Sequence, residues 1–282
     1  MTPSVLALVL CAAVLHASWN ALLKIGGDPL ARLALINAAA ALCALPIVLL
    51  APAPAAASWP YLAGSVAIHQ VYNLGLVFGY RYGDLSLVYP ITRGVAPMLV
   101  AIGAYLFAGE RLNLPGTLAV GFICAAILSL AFDKGWRLRS PKAVGFALLT
   151  GLMIAGYTVC DGLGGRLSGS APGYSAWLFV LEAPPLALVA LAWRPHAVLA
   201  VFAKHWRMGL LGGACAATAY GLVIWAMSLT PMTYVSALRE TSVILAAWIG
   251  TRLLREPFGG RRMALASLVA VGVILLQYSR AG

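Results

Sequence analysis

Charge is what this sequence has least of. Only 10% of its 282 residues are Asp, Glu, Lys or Arg, against roughly 25% in a soluble globular domain. No stretch is long and polar enough to make a separate soluble domain. Catalytic and nucleotide signatures are missing as well. There is no Walker P-loop, no G-x-S-x-G elbow, no H-E-x-x-H pair and no cluster with metal-ligand spacing. ATP-driven transport by this chain alone is therefore not expected, it is not read as an enzyme, and no cofactor or metal is expected. The glycines of DGLGGRLSG (Gly162, Gly164, Gly165) follow no strand, so they read as a flexible connection and not as a phosphate loop. Cysteine is sparse too. Cys11, Cys43, Cys124, Cys160 and Cys215 lie far apart within apolar runs and read as small core hydrophobes.

Apolar surface is present in excess: 62% of residues are hydrophobic and the mean hydropathy is +0.92. A soluble core cannot absorb that surface, whereas lipid can. The net charge of +11 does not point to nucleic acid, because the basic residues lie mostly in short gaps between apolar runs, as topogenic signals do. The first run has no basic region before it and continues into HASWNALLK, so it reads as a retained helix and not as a cleaved signal.

A hydrocarbon core about 30 Å thick takes roughly 20 apolar residues per helix. On that ruler the chain divides into ten spans, near 4–24, 30–50, 60–80, 85–107, 115–132, 141–160, 172–193, 206–229, 232–254 and 261–279. The expected fold is an all-α polytopic membrane protein, with Gly, Ala and Ser inside the spans letting helix backbones approach closely. A shift of 146 residues lays Arg93 on Arg239 and Glu110 on Glu256. LVYPITRGVAPMLVAIGAYLFAGERL thereby covers TYVSALRETSVILAAWIGTRLLREPF, and near the start of each half ASWN (Ala17–Asn20) resembles AGYT at a shift of 138. Five spans per half is an odd number, so the second copy enters the membrane inverted. The chain is thus expected to be two inverted five-helix repeats, 1–135 and 136–282, with a site at their interface near the midplane.

Orientation comes from the basic residues. The gaps after spans 1, 3, 5, 7 and 9 hold fourteen Lys and Arg, while the opposite side holds Arg111, Arg166 and Arg280. The richer side is cytoplasmic by the positive-inside rule, so both termini are expected in the periplasm.

The ten spans, the opening LHASWNALLK, the turn-and-helix YRYGDLSLVYPITRG and the helix end GERL resemble the drug/metabolite transporter superfamily, in particular its EamA-type bacterial members. The resemblance spans essentially the whole chain. It is specific in the first half and more diverged in the second, which has REP where the first has GERL. It implies a small secondary transporter of the bacterial inner membrane, with export favoured by family association, and it names no substrate. Some ten-span relatives place both termini in the cytoplasm; the fourteen-to-three bias here argues for the reverse.

Four acid or base residues other than histidine lie deep in the expected spans: Arg93, Glu182, Arg239 and Glu240. A charge at the bilayer centre costs about 2.5–3.5 kcal/mol even on the forgiving insertion scale, so such residues face interior cavities and mark pathways. Arg93 and Arg239 lie on antiparallel helices, each about 11–12 Å below its own membrane face at 1.5 Å per residue. Two such cations repel unless an anion lies between them. Either they clamp an anionic group of the cargo, or carboxylates and helix-end carbonyls neutralise them, with Glu182 or Glu240 taking Arg239. Glu182 and Glu240 are candidates for proton coupling or charge pairing. A second set of polar and aromatic residues suits a wet cavity wall: Trp19, Asn20, Tyr72, Asn73, Tyr89, Tyr157, Tyr220, Trp225 and Tyr234. His16, Trp19 and Asn20 share one helix face, as do His69, Tyr72 and Asn73; neither histidine is singled out as a proton shuttle. Glu110 and Glu256 are expected in interfacial pairs with Arg111 and Arg255.

The expected function is alternating-access transport of a small polar or anionic metabolite, protons being the candidate coupling ion, by a monomer or weak homodimer in the lipid bilayer. The alternative is a flippase of a lipid-linked or amphiphilic substrate, which calls for a lateral groove with one apolar wall.

Overall fold

The computed structural model describes residues 2–24, 27–83, 85–129, 140–242 and 260–278. Among them are ten α-helices and no strand. They are α1 (Pro3–Lys24), α2 (Pro29–Leu50), α3 (Trp59–Tyr82), α4 (Leu85–Ala108), α5 (Leu114–Leu128), α6 (Pro141–Leu167), α7 (Ala171–Trp193), α8 (Pro195–Leu229), α9 (Met232–Arg239) and α10 (Gly260–Tyr278). Each overlaps one expected span. Six are long and apolar enough to cross a membrane: α1, α2, α4, α6, α7 and α8. The chain is an all-α polytopic membrane protein.

Short polar residues set the helix starts. Asp28 accepts hydrogen bonds from the Leu30 and Ala31 amides at 3.0 and 3.1 Å, with Pro29 opening α2. Asn113 caps α5 through the Gly116 amide at 2.9 Å, Ser140 caps α6 and Ser170 caps α7. Each side chain satisfies an amide that the first turn leaves without a partner. Proline at the first or second position fits because its missing N–H is not needed there.

Three boundaries differ from expectation. α6 runs seven residues past the expected end at 160, to Leu167. Its glycines are packing contacts within that helix and not a flexible connection. A Cβ at Gly164 would stand 2.5 Å from the Tyr174 hydroxyl, and one at Gly162 would collide with the Met232 side chain. α8 begins at Pro195 instead of 206, because the ten residues before a kink at His205 (φ −125°, ψ 16°) are also helical. α9 closes at Arg239, with Glu240 in the turn that succeeds it and Thr241 and Ser242 helical again; the expected ninth span from residue 243 on lies outside the described residues.

The helices pack as a set of close pairs: α3 with α6, α2 with α8 and α7, α4 with α6, α1 with α8, α4 with α9, and α5 with α10. Leucines such as Leu49, Leu50, Leu118 and Leu188 face outward, where lipid replaces water as their surroundings. Inside, Val5 and Val9 (α1), Leu62 (α3), Ala104 (α4), Ile224 and Met227 (α8) and Met232 (α9) join one apolar cluster. These residues lie at the α1-start end of their antiparallel helices, so the bundle is filled with hydrocarbon on that side. One buried acid, Asp161, lies at this level too, bonded to Tyr174 of the same cluster.

Candidate functional site

The polar interior begins where that apolar cluster stops. His16 and Asn20 of α1, Tyr72 and Leu76 of α3, Thr92 and Arg93 of α4, and Ile154 and Tyr157 of α6 line a cavity of about 20 Å3. This volume holds about one water molecule. On α1, α3 and α4 the lining residues lie in the membrane half away from the start of α1, opposite the apolar cluster.

Arg93 reaches this wall from α4 and is 4% exposed. Its guanidinium grips Glu240 with two bonds, Nε to Oε2 at 3.1 Å and Nη2 to Oε1 at 2.8 Å. Nη2 also donates to the Arg239 carbonyl at 3.4 Å, a carbonyl of the closing turn of α9. A two-pronged guanidinium–carboxylate pair fixes geometry as well as charge. Proline contributes to the local backbone: Pro97 has no N–H to offer the Arg93 carbonyl one turn back, so that acceptor is released from the helix ladder.

Arg239 is also buried, at 5% exposure, and meets no carboxylate within ion-pair distance among the described residues. Its guanidinium carbon stands 5.4 Å from the ring centroid of Tyr220. The expectation that Glu240 or Glu182 would neutralise Arg239 is corrected: Glu240 pairs with Arg93, across the two halves of the chain. Glu182 lies on α7, where its Oε1 accepts from the Asn73 amide at 3.5 Å and its carbonyl from Gln70 at 3.2 Å. Pro184 and Pro185 come directly after Ala183 and leave the Val180 and Leu181 carbonyls without helical donors.

A fifth deep ionisable residue is Asp161 of α6, fully buried. Its two oxygens accept from Tyr174 at 3.0 Å and from Tyr220 at 2.6 Å. Sequence reasoning misses it by ending the sixth span one residue too early; the glycines after it, spaced for helix packing, are the available signal. His69 belongs here as well. Its ring stacks on Tyr157 at 4.0 Å and lies edge-on to Tyr72 and Tyr220, while Nδ1 contacts the Ser65 carbonyl and hydroxyl. Tyr157 and Tyr220 meet edge to face at 5.7 Å. This aromatic box joins the cavity wall to the Asp161 cluster.

The remaining expected site residues separate. Asn20 and Tyr72 are in the wall. Trp19 donates to His16 at 3.3 Å and then packs on the apolar cluster of α2 and α8, behind the wall. Asn73 turns to α7. Trp225 is 46% exposed: its neighbours Val223, Ile224, Ala226 and Met227 take the inner face of α8, and that phase sends Trp225 outward. Tyr234 is buried among Val120, Ile123 and Leu276 of α5 and α10, away from the cavity. The Tyr89 side chain lies outside the described residues, as does Glu256. Glu110 pairs with Arg166 at 2.6 Å and not with Arg111, whose guanidinium lies over Tyr105. Glu110 also accepts from the Met232 amide, and Arg166 donates to the Met227 and Thr230 carbonyls. That junction joins α4, α6, α8 and α9 at one membrane face.

Comparison with known proteins places this geometry. No curated protein matches the chain at a significant level. Among solved structures 28 chains match. One, described only as "Crystal structure of protein", superposes with a TM-score of 0.77 at 14% identity, over 100% of this chain and 99% of the other. At that identity the likeness is one of fold. The EamA-like transporter family matches residues 141–278. The match falls on the half whose motifs are the more diverged. Its residues include Tyr157, Asp161, Tyr220, Arg239 and Glu240 of the polar interior. Through that match residues 141–278 belong to the EamA-like transporter family, part of the drug/metabolite transporter superfamily.

Proposed function

We infer that the protein is a secondary-active transporter of the bacterial inner membrane, moving a small polar or anionic metabolite by alternating access at the interface of two inverted five-helix halves, 1–135 and 136–282. The observation that carries this reading is the polar cavity beside two buried arginines, one from each half. Six of its eight lining residues carry polar groups, a lining suited to a polar cargo and poor for an acyl chain. The flippase alternative finds no comparable support.

The helix pairs favour the inverted repeat. A shift of five helices carries the α3–α6 pair onto α8–α1 and the α4–α6 pair onto α9–α1, and it returns α2–α7, α4–α9 and α5–α10 to themselves. Two-fold related halves produce this pattern, and their shared interface is where transporters of this architecture hold cargo. The cavity is too small for a metabolite, and an apolar cluster packs the helices together on the side where α1 starts. A closed conformation has that shape, and a rocking of the halves would widen the site.

In this mechanism Arg93 and Arg239 supply positive charge to an anionic group of the cargo, while Asn20, Tyr72 and Tyr157 shape the remainder of the site. With Glu240 bound to Arg93, a cargo anion competes with Glu240 for the guanidinium, and Glu182 is the glutamate left for proton coupling. Purified protein screened for thermal stabilisation by amino acids, phosphonates, sugars and organic cations tests the assignment. Anionic ligands are expected to raise the unfolding midpoint of the wild type, and Arg93→Ala is expected to abolish the shift. Equal stabilisation of both proteins would remove the clamp.

A further inference from the structure

The buried charges of the interior pair unequally. Arg93 holds both oxygens of Glu240, so that pair is complete. Arg239 is left with its positive charge on the face of Tyr220 and no carboxylate in reach among the described residues. Asp161 is left with its negative charge on two tyrosine hydroxyls, with the Ser65 hydroxyl and the His69 ring beside it and, among the same residues, no Lys or Arg within ion-pair distance. Both residues are buried, and both touch the same ring: Asp161 at its hydroxyl, Arg239 at its face. A hydroxyl donating a short 2.6 Å bond to an anion pushes electron density into its ring, and a richer ring face attracts a cation more strongly.

We propose that Asp161 is the counter-charge of Arg239, acting through Tyr220, and that it is the positioning residue that keeps this guanidinium off Glu240. Tyr220 cannot slide readily, because Tyr157 and His69 abut its ring and Asp161 fixes its hydroxyl. Tyr174 holds the far oxygen of Asp161 and touches neither arginine among the described contacts. The consequence rests on the transport reading given above. An arginine neutralised through a ring keeps its N–H donors free of any carboxylate, so the second half of the clamp stays available to a cargo carboxylate or phosphate. Arg93, by contrast, has to release Glu240 first.

The test needs no knowledge of the cargo. Thermal unfolding of the purified full-length protein is measured for Asp161→Asn, Tyr220→Phe and Tyr174→Phe, each with and without Arg239→Gln. Asp161→Asn leaves a buried cation without its counter-charge and is expected to lower the midpoint by about 5–10 °C. Adding Arg239→Gln is expected to restore most of that loss, although the two side chains are not in direct contact. Tyr220→Phe gives a smaller loss rescued in the same way, and it decides the matter if Asp161→Asn does not fold. Tyr174→Phe gives a loss that Arg239→Gln leaves unchanged. Additive losses in the Asp161 and Tyr220 pairs, or an unaltered midpoint in Asp161→Asn, overturn the relay. A positive result here with no anionic ligand in the stabilisation screen would retain the relay and remove the clamp.

Discussion

Arg93 and Glu240 show how a membrane interior tolerates full charges: 4% and 1% exposed, they meet through two bonds and leave little unsatisfied. Taking one partner from such a pair strands the other in a medium that cannot solvate it, at a cost of about 3–5 kcal/mol, whereas replacing both by apolar groups of similar size is often neutral. Glu240→Gln is therefore expected to lower the unfolding midpoint strongly, and Arg93→Met with Glu240→Met to fall close to the wild type. A double variant as damaged as the single one would mean the pair holds the fold by packing and not by charge. The sequence discloses that both residues are buried, since each sits inside an apolar run. It does not disclose their partnership. Glu240 comes directly after Arg239, but successive helix residues point about 100° apart, and α9 ends between them, so Glu240 is turned to the neighbouring helix. Asp161 is lost for a humbler reason, a span end placed at residue 160 while the helix continues to Leu167.

Helix against helix, the bundle depends on small residues. Gly213 lets α8 approach α2 so closely that an added Cβ would lie 2.5 Å from the Ala40 backbone nitrogen and 2.7 Å from the Ala39 carbonyl carbon. Backbone atoms cannot rotate away as a side-chain tip can. Gly213→Ala is expected to destabilise by about 1–3 kcal/mol, the usual range for overpacking. Gly121 on α5 has nothing within 4 Å of the same added atom. Gly121→Ala should be neutral or slightly stabilising, since alanine favours a helix by roughly 0.5–1 kcal/mol over glycine. Thermal midpoints of the two variants, measured side by side, check the contrast; equal effects would show that composition, not approach, places these glycines. The abundance of Gly, Ala and Ser in the spans announces close packing in general. Which glycine faces a neighbouring backbone and which faces outward depends on helix phase and on the partner helix, and low amphipathicity in a lipid-bathed helix hides the phase.

Across the molecule, an even number of spans returns both ends of the chain to one side. On the proposed count of ten spans, reporter domains fused separately to the two ends should therefore give the same side, and the fourteen-to-three bias of Lys and Arg predicts the periplasm. A cytoplasm-dependent reporter active at the C-terminal end would overturn the orientation, and opposite results at the two ends would overturn the even count. Local chemistry alone determines the properties that can be read along the chain. Some twenty apolar residues in a row must leave water, a backbone in lipid must satisfy its own hydrogen bonds, and only a helix does so within one segment. Helical class, the approximate bounds of the helices and the burial of Arg93, Glu182, Arg239 and Glu240 all come from that. Partnership is not local. Whether Arg93 meets Glu240 or a cargo, whether Trp225 faces the cavity or the lipid, and whether Asp161 answers Arg239 through Tyr220 depend on which helix faces come together. Those faces meet through long-range packing of segments up to about 150 residues apart, which no short stretch of the sequence encodes.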